Sequence, residues 1–274
     1  MTVLIVMRKE IQEGLRNRWV LATTLLLAAL ALTLTFLGSA PVGNVGASPL
    51  DVVIVSLSSL TTFLVPLIAL LISHDAIVGE MERGTMLLLL SYPISRWQVI
   101  FGKFVGHLAI LAFATLLGYG AAAVALAAMG TAIDAASWWA FGSMILSSIM
   151  LGAVFVAIGY LVSALVRQRG TAAGIAIGIW LLFVLIYDMA LLGILVVDQG
   201  RTIGADLLNA ALLLNPTDAY RLLNLGSEGA SSVSGMAGVV ENVNLSPAML
   251  VAALLAWILV PLAAAMLVFS RKEL

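Results

Sequence analysis

Long apolar runs separated by short polar stretches set the pattern of this chain. Six runs, at about 19–38, 53–73, 102–129, 138–166, 172–197 and 248–269, stay apolar for the roughly 20 residues that a helix needs to cross a hydrocarbon core. Several are longer than that, and would tilt or extend beyond the bilayer. Pro66 and Pro261 fall inside the second and the sixth, where the missing N–H kinks a helix. The pattern predicts an all-α polytopic membrane protein with six transmembrane helices.

Two polar stretches carry a helical period of their own. In residues 1–18, Val3, Val6, Met7, Ile11 and Leu15 recur at helical spacing among Arg8, Lys9, Arg16 and Arg18, which predicts an interfacial elbow helix ahead of a domain spanning 19–274. The apolar run after it is longer than a signal-peptide core, so it is expected to be retained. In the loop at 74–101, a helix from Asp75 to Leu88 would place Asp75, Gly79, Glu80, Glu82 and Arg83 on one side. Ile77, Val78, Met81, Thr85 and Leu88 would fall on the other. Asp75 is a candidate N-cap for it, and Pro93 ends the helical pattern.

Charge then orients the chain. All the lysines and arginines except Arg201 and Arg221 lie in the N-terminal stretch, the 74–101 loop with Lys103, the 167–171 turn and the tail. By the positive-inside rule both termini are expected in the cytoplasm, and the 198–247 loop outside. The first half of that loop reads as two helical pieces broken at Asn215-Pro216-Thr217, with Thr217 as N-cap. The Gly/Ser-rich second half, 226–244, reads as a flexible arm.

Composition narrows the chemistry. The chain is 62% hydrophobic and 10% charged, where a soluble domain carries roughly 25% charged residues. Net charge is -1, so nothing points to nucleic acid. With no cysteine and only His74 and His107, no metal site or cofactor is expected. No P-loop occurs, since Gly102-Lys103 runs on to Phe104, and no H-E-x-x-H or credible G-x-S-x-G is present. The chain is therefore read as no enzyme, with no catalytic residues. Asp188 is the one acid well inside an expected span, placed toward the outer surface, where a structural role is favoured. Serines and threonines from Ser56 to Thr62 line the outer half of the second span, and packing is their favoured role. Gly170, Gly174 and Gly178 form a GxxxGxxxG face, and Gly102 and Gly106 a shorter pair, either within one subunit or between two copies.

The stretch Asp75…Glu80-x-Glu82-x-Gly84-Thr85, continued by Pro93-Ile94-Ser95-Arg96 and Gly102-Lys103, resembles the loop between the second and third helices of ABC-2 type permeases. The resemblance implies a coupling element that docks on a separate ATPase subunit. Asp75, Glu80, Glu82, Arg83 and Arg96 would form the docking surface, Gly84 would allow a bend or close approach, and Thr85, Pro93 and Ser95 would complete the stretch. A homodimer of about twelve spans is also implied. Within that family, the whole chain and especially NPTDAYRLLNL, Asn215 to Leu225, resembles permeases that serve nitrous oxide reductase maturation. That implies a periplasmic repeat protein held on the outer loop, with Asn215, Pro216, Thr217, Asp218, Tyr220 and Arg221 as its contact residues. It also implies a part in copper–sulfur cluster assembly, with a sulfur species as cargo or force alone transmitted. An exporter of a drug, lipid or peptide, and a non-ABC carrier, stay open on the sequence.

Overall fold

A computed structural model of the chain describes residues 2–16, 18–38, 49–128, 135–198, 204–225 and 245–272. Every regular element among them is helical. Five stretches are long and apolar enough to cross a membrane: Val52–Glu82, Arg96–Ala128, Ala135–Leu165, Arg169–Asp198 and Pro247–Arg271. A sixth span is reached if Val3–Arg16 and Leu21–Phe36, whose axes meet at 70°, count as one bent pair. This is a multi-pass membrane protein, as the apolar runs predict.

The elements are α1 (Thr2–Arg16), α2 (Arg18–Gly38), α3 (Pro49–Ser73), α4 (Val78–Glu82), α5 (Thr85–Leu90), α6 (Arg96–Ala128) and α7 (Ala135–Leu165). Then come α8 (Arg169–Leu181), a π-helical segment (Leu182–Ile186), α9 (Tyr187–Asp198), α10 (Ala205–Leu214), α11 (Pro216–Leu225) and α12 (Pro247–Arg271). The bundle has a loop end, where α4 and α5 lie, and a far end, where α10 and α11 lie.

Helix α7 is the centre, packed by α3, α6 and α12. Every residue from Leu151 to Tyr160 is buried. Two of them are glycines because neighbours come too close for a side chain. A Cβ on Gly152 would stand 2.1 Å from Leu111 Cδ2, and one on Gly159 would stand 1.9 Å from Ser73 Oγ. Without water to drive helices together, such close backbone approach is what holds spans side by side. Pro66 leaves a gap in the hydrogen-bond ladder of α3, and beside it Trp180 Nε1 donates to Phe63 O at 2.9 Å, tying α8 to α3.

Helix α1 lies along the start of α6. A Cβ on Gly102 would meet Val6 Cβ at 2.9 Å, and one on Gly106 would meet Glu10 Cβ at 2.6 Å. The Gly102/Gly106 pair is thus a seat for α1 within one chain. Gly170, Gly174 and Gly178 have no neighbour within 4 Å of a Cβ. The span they open, α8 to α9, is the least enclosed of the five, and α7 the most.

Helix ends at the loop end are closed by long side chains from other elements, which supply donors to carbonyls that have no intrahelical partner. Arg96 Nη1 donates to Phe269 O, Ser270 O and Lys272 O at 3.0, 3.3 and 2.7 Å, closing α12. Lys272 Nζ donates to Ala164 O and Val166 O at 2.8 Å each, closing α7. At its other end α12 starts with Ser246 as N-cap, accepting from Met249 N–H, and Pro247 behind it.

Candidate functional site

The 74–95 stretch folds as two short helices rather than the single amphipathic helix expected from Asp75 to Leu88. Gly84 takes φ 71°, a left-handed conformation that favours glycine, and the chain turns there between α4 and α5. Asp75 is not the side-chain cap. The free N–H groups of Ile77 and Val78 both donate to Ser163 Oγ of α7 at 3.0 Å. The charged face also divides, because Val78, Gly79 and Glu80 are buried.

Glu80 points inward to a buried ion network. Lys103 Nζ stands 2.6 Å from Glu10 Oε1 and 2.9 Å from Glu80 Oε1. Lys9 Nζ adds a contact of 3.2 Å to Glu80. The Lys103, Glu10 and Glu80 side chains are 2%, 6% and 8% exposed, so each charge needs its partner to be tolerated. His107 extends the network, with Nε2 3.6 Å from Glu10 Oε2 and Nδ1 2.7 Å from Tyr160 OH. The loop, α1, α6 and α7 are therefore joined by charge and hydrogen bonds at one point. Glu80 Oε2 has no hydrogen-bond partner. The network borders a cleft of about 580 Å³ that also reaches His74, Arg83 and Arg169.

Asp75 and Glu82 make a second junction. Arg169 Nη2 lies 2.6 Å from Asp75 Oδ2, and the Arg169 N–H donates to Glu82 Oε1 at 2.9 Å. A carboxylate at the start of α8 suits the orphan N–H groups there. Thr85 Oγ1 donates to Glu80 O at 3.2 Å. Ser95 begins α6 as half of a capping box, its N–H donating to Gln98 Oε1 at 3.2 Å. Outside these junctions a rim faces away from the bundle. Arg83, Gly84, Pro93 and Ser95 are on it or beside it, with Leu87 (57% exposed), Leu88 (69%), Tyr92 (67%) and Trp97 (53%).

Lys9, Glu10, Lys103, His107, Ser163 and Arg169 lie outside the set of residues that the motif marks as a docking surface. A signal existed for Glu10, which continues the Val3–Val6 stripe at helical spacing. A charge on the buried face of an amphipathic helix asks for a partner.

At the far end, the six residues expected to meet a partner turn inward. Asn215, Pro216, Thr217, Asp218 and Tyr220 are buried, and Arg221 is half-buried. Their polar groups are taken up inside the chain. Tyr220 OH bonds Ser148 Oγ at 2.9 Å, and Thr61 Oγ1 bonds Tyr119 OH beside it. The cap of α11 is Asn215, not Thr217: Asn215 Oδ1 accepts from Thr217 N–H at 3.1 Å, with Pro216 at the first helical position. The Gly/Ser-rich arm at 226–244 lies outside the described residues.

The same NPT turn locks the π-helical segment. Tyr187 N–H reaches Leu182 O, which removes the donor that Phe183 O would have in an α-helix. Asn215 Nδ2 and Thr217 Oγ1 replace it, at 3.0 and 3.1 Å. Arg221 Nη1 bonds Asp188 Oδ2, and Asp218 Oδ1 at 3.1 Å. Asn215 Nδ2 also lies 3.3 Å from Asp188 Oδ1 and 3.0 Å from Asp218 Oδ2. Asp188 is thus paired with Arg221 and Asn215. No group of three or more His, Cys, Asp or Glu able to hold a metal occurs among the described residues.

The apolar spans and the folded charged loop with its exposed rim are those of a multi-pass membrane protein. Residues 4–274 match the family described as ABC-2 family transporter protein, and the chain belongs to that family as a permease without an ATPase domain. It is similar to the "Probable ABC transporter permease protein NosY" of Stutzerimonas stutzeri, 48% identical over 97% of this chain and 96% of the relative. The protein of the same description from Pseudomonas aeruginosa is 47% identical over 97% of both.

Proposed function

We propose that the 74–96 loop is the coupling surface for an ATPase subunit, and that the transporter serves nitrous oxide reductase maturation as a Nos-type permease. The observation that carries the first part is the division of the loop. Its exposed rim, Leu87, Leu88 and Tyr92 beside Arg83, offers an apolar and basic dock, the kind of patch that marks an interaction site. Behind it, Glu80, Asp75 and Glu82 fasten the loop to α1, α6 and α8. A push on the rim is delivered to three helices. Basic residues gathered at the loop end support a cytoplasmic placement of both termini.

The Nos-type reading rests on the two relatives. In it, ATP-driven movement of the loop supports copper–sulfur cluster assembly, by passage of a sulfur species or by force alone. A homodimer is supported by α8, whose Gly170, Gly174 and Gly178 face open space on the least enclosed span. The periplasmic repeat protein would sit on the far end. Asn215 to Arg221 act there from behind, by fixing α11, while Leu207 and Leu214 of α10, 60% and 62% exposed, and the 226–244 arm offer the surface.

Co-purification from native membranes tests both parts. Wild type should bring down an ATPase and a periplasmic repeat protein. Leu88→Asp should stay folded in the membrane and lose the ATPase alone, and deletion of 226–244 should lose the repeat protein alone. Retention of the ATPase by Leu88→Asp would remove the rim from the coupling surface. Absence of a repeat protein from the wild-type complex would favour an exporter of the same family.

A further inference from the structure

The far end holds two carboxylates for one guanidinium, in a place where neither has another cation among the described residues. We propose that Asp218 holds a proton where it meets Asp188 and Arg221, and that its loss loosens α11 from the π-helical joint of the fifth span. The geometry carries the argument. Arg221 Nη1 touches both carboxylates, and Asn215 Nδ2 bridges their other oxygens. With both acids ionised, the cluster has a net negative charge held on side chains only 8% to 20% exposed. A single proton balances it, leaving one ion pair and one neutral carboxyl.

No other cation among the described residues can do so. The groups facing Asp218 are Asp188 and Tyr187 from α9, with Arg221 from its own helix. Helix α7 has no Asp, Glu, Lys, Arg or His, and the only charged residue in α12 is Arg271, at the loop end. Asp206 of α10 is exposed. Burial first, and then the charge of Asp188, push the Asp218 carboxyl from 3.8 up to about 7. A carboxyl raised on folding stabilises the closed form most at low pH, and that contribution is lost as pH rises from about 4 through about 7.

The release has a defined target. Asn215 and Thr217 hold Phe183 O, and Arg221 holds Asp188, so α11 touches the fifth span mainly through this cluster. The proposal concerns the closure of α11 and is independent of ATPase docking, so either can fail without the other.

The chain has no cysteine, which allows single-thiol labelling of the full-length protein in lipid nanodiscs. Leu222→Cys reports on the buried side of α11, and Leu207→Cys, on exposed α10, corrects for the rise in thiol reactivity with pH. The corrected rate at 222 should rise between about pH 5.5 and about pH 7, by up to about tenfold per unit for one linked proton, and level off above that. In Asp218→Asn the rise should vanish, and in Asp188→Asn it should shrink, because burial still acts on Asp218. A flat wild-type ratio overturns the proposal, as does the same rise in Asp218→Asn. Thermal unfolding at about pH 5.5 closes the remaining gap. Asn reproduces a neutral carboxyl, so Asp218→Asn should melt close to wild type there, and a large drop would also count against a proton on Asp218.

Discussion

The two ends of the bundle both bury charge, and they do it in opposite ways. At the loop end, Glu10, Glu80, Lys9 and Lys103 come from three distant parts of the chain, and two lysines meet the two buried acids. At the far end, Asp188, Asp218 and Arg221 lie closer together in sequence, with two acids for one arginine. A balanced network assembled from separate elements makes those elements move together. An unbalanced cluster built mostly on one helix and the joint it touches is suited to come apart. The first arrangement suits transmission of force and the second suits a catch.

The largest effect should come from the balanced network. Lys103→Met leaves Glu10 and Glu80 buried with the half-exposed Lys9 as their one remaining lysine, and breaking a buried pair in this way costs about 3–5 kcal/mol. Unfolding of the variant in mild detergent should show it. Adding Glu10→Gln and Glu80→Gln should recover much of the loss, and no recovery would mean that Lys103 matters for its shape alone. Gly106→Leu comes next. Its side chain would enter the seat of α1, where even a Cβ stands 2.6 Å from Glu10, and overpacking of this kind costs about 1–3 kcal/mol. Proteolysis within residues 1–18 should become faster than elsewhere, and uniform protection would contradict the seat.

At the far end Thr217→Val removes one of two donors to Phe183 O, worth about 1 kcal/mol. The same unfolding assay reads it, and Asn215→Ala, which also loses the cap, should cost more. A reversed order would show that the hydroxyl carries the joint. The smallest effect is expected from Asp75→Asn. Its pair with Arg169 is 27% and 44% exposed, and pairs this open contribute about 0–1 kcal/mol. A loss as large as that of Lys103→Met would erase the contrast between the inner and outer layers of the loop.

The spans were legible because a membrane makes hydropathy and length nearly sufficient. Gly84 was legible as a place for a bend, yet the break there divides the expected helix, because a left-handed residue cannot continue a right-handed helix. The faces were harder to read. Periodicity sorts charged from apolar positions, but it cannot say that Glu80 faces a lysine in the next span. The far end shows the converse. NPTDAYR is polar and stands between spans, which reads as surface, and yet it is buried because hydroxyls and amides from α3, α7 and the π segment satisfy it.

The π-helical segment fixes more than a carbonyl. One added residue within an α-helix turns everything beyond it by about 100° about the axis. Asp188 faces Arg221 only because Leu182–Ile186 supplies that extra rotation. The two halves of the fifth span are thus keyed to different neighbours, α8 to Phe63 through Trp180 and α9 to the NPT turn. Removing any one residue from that segment would leave a helix of the same hydropathy and almost the same length, with Asp188 turned away from Arg221.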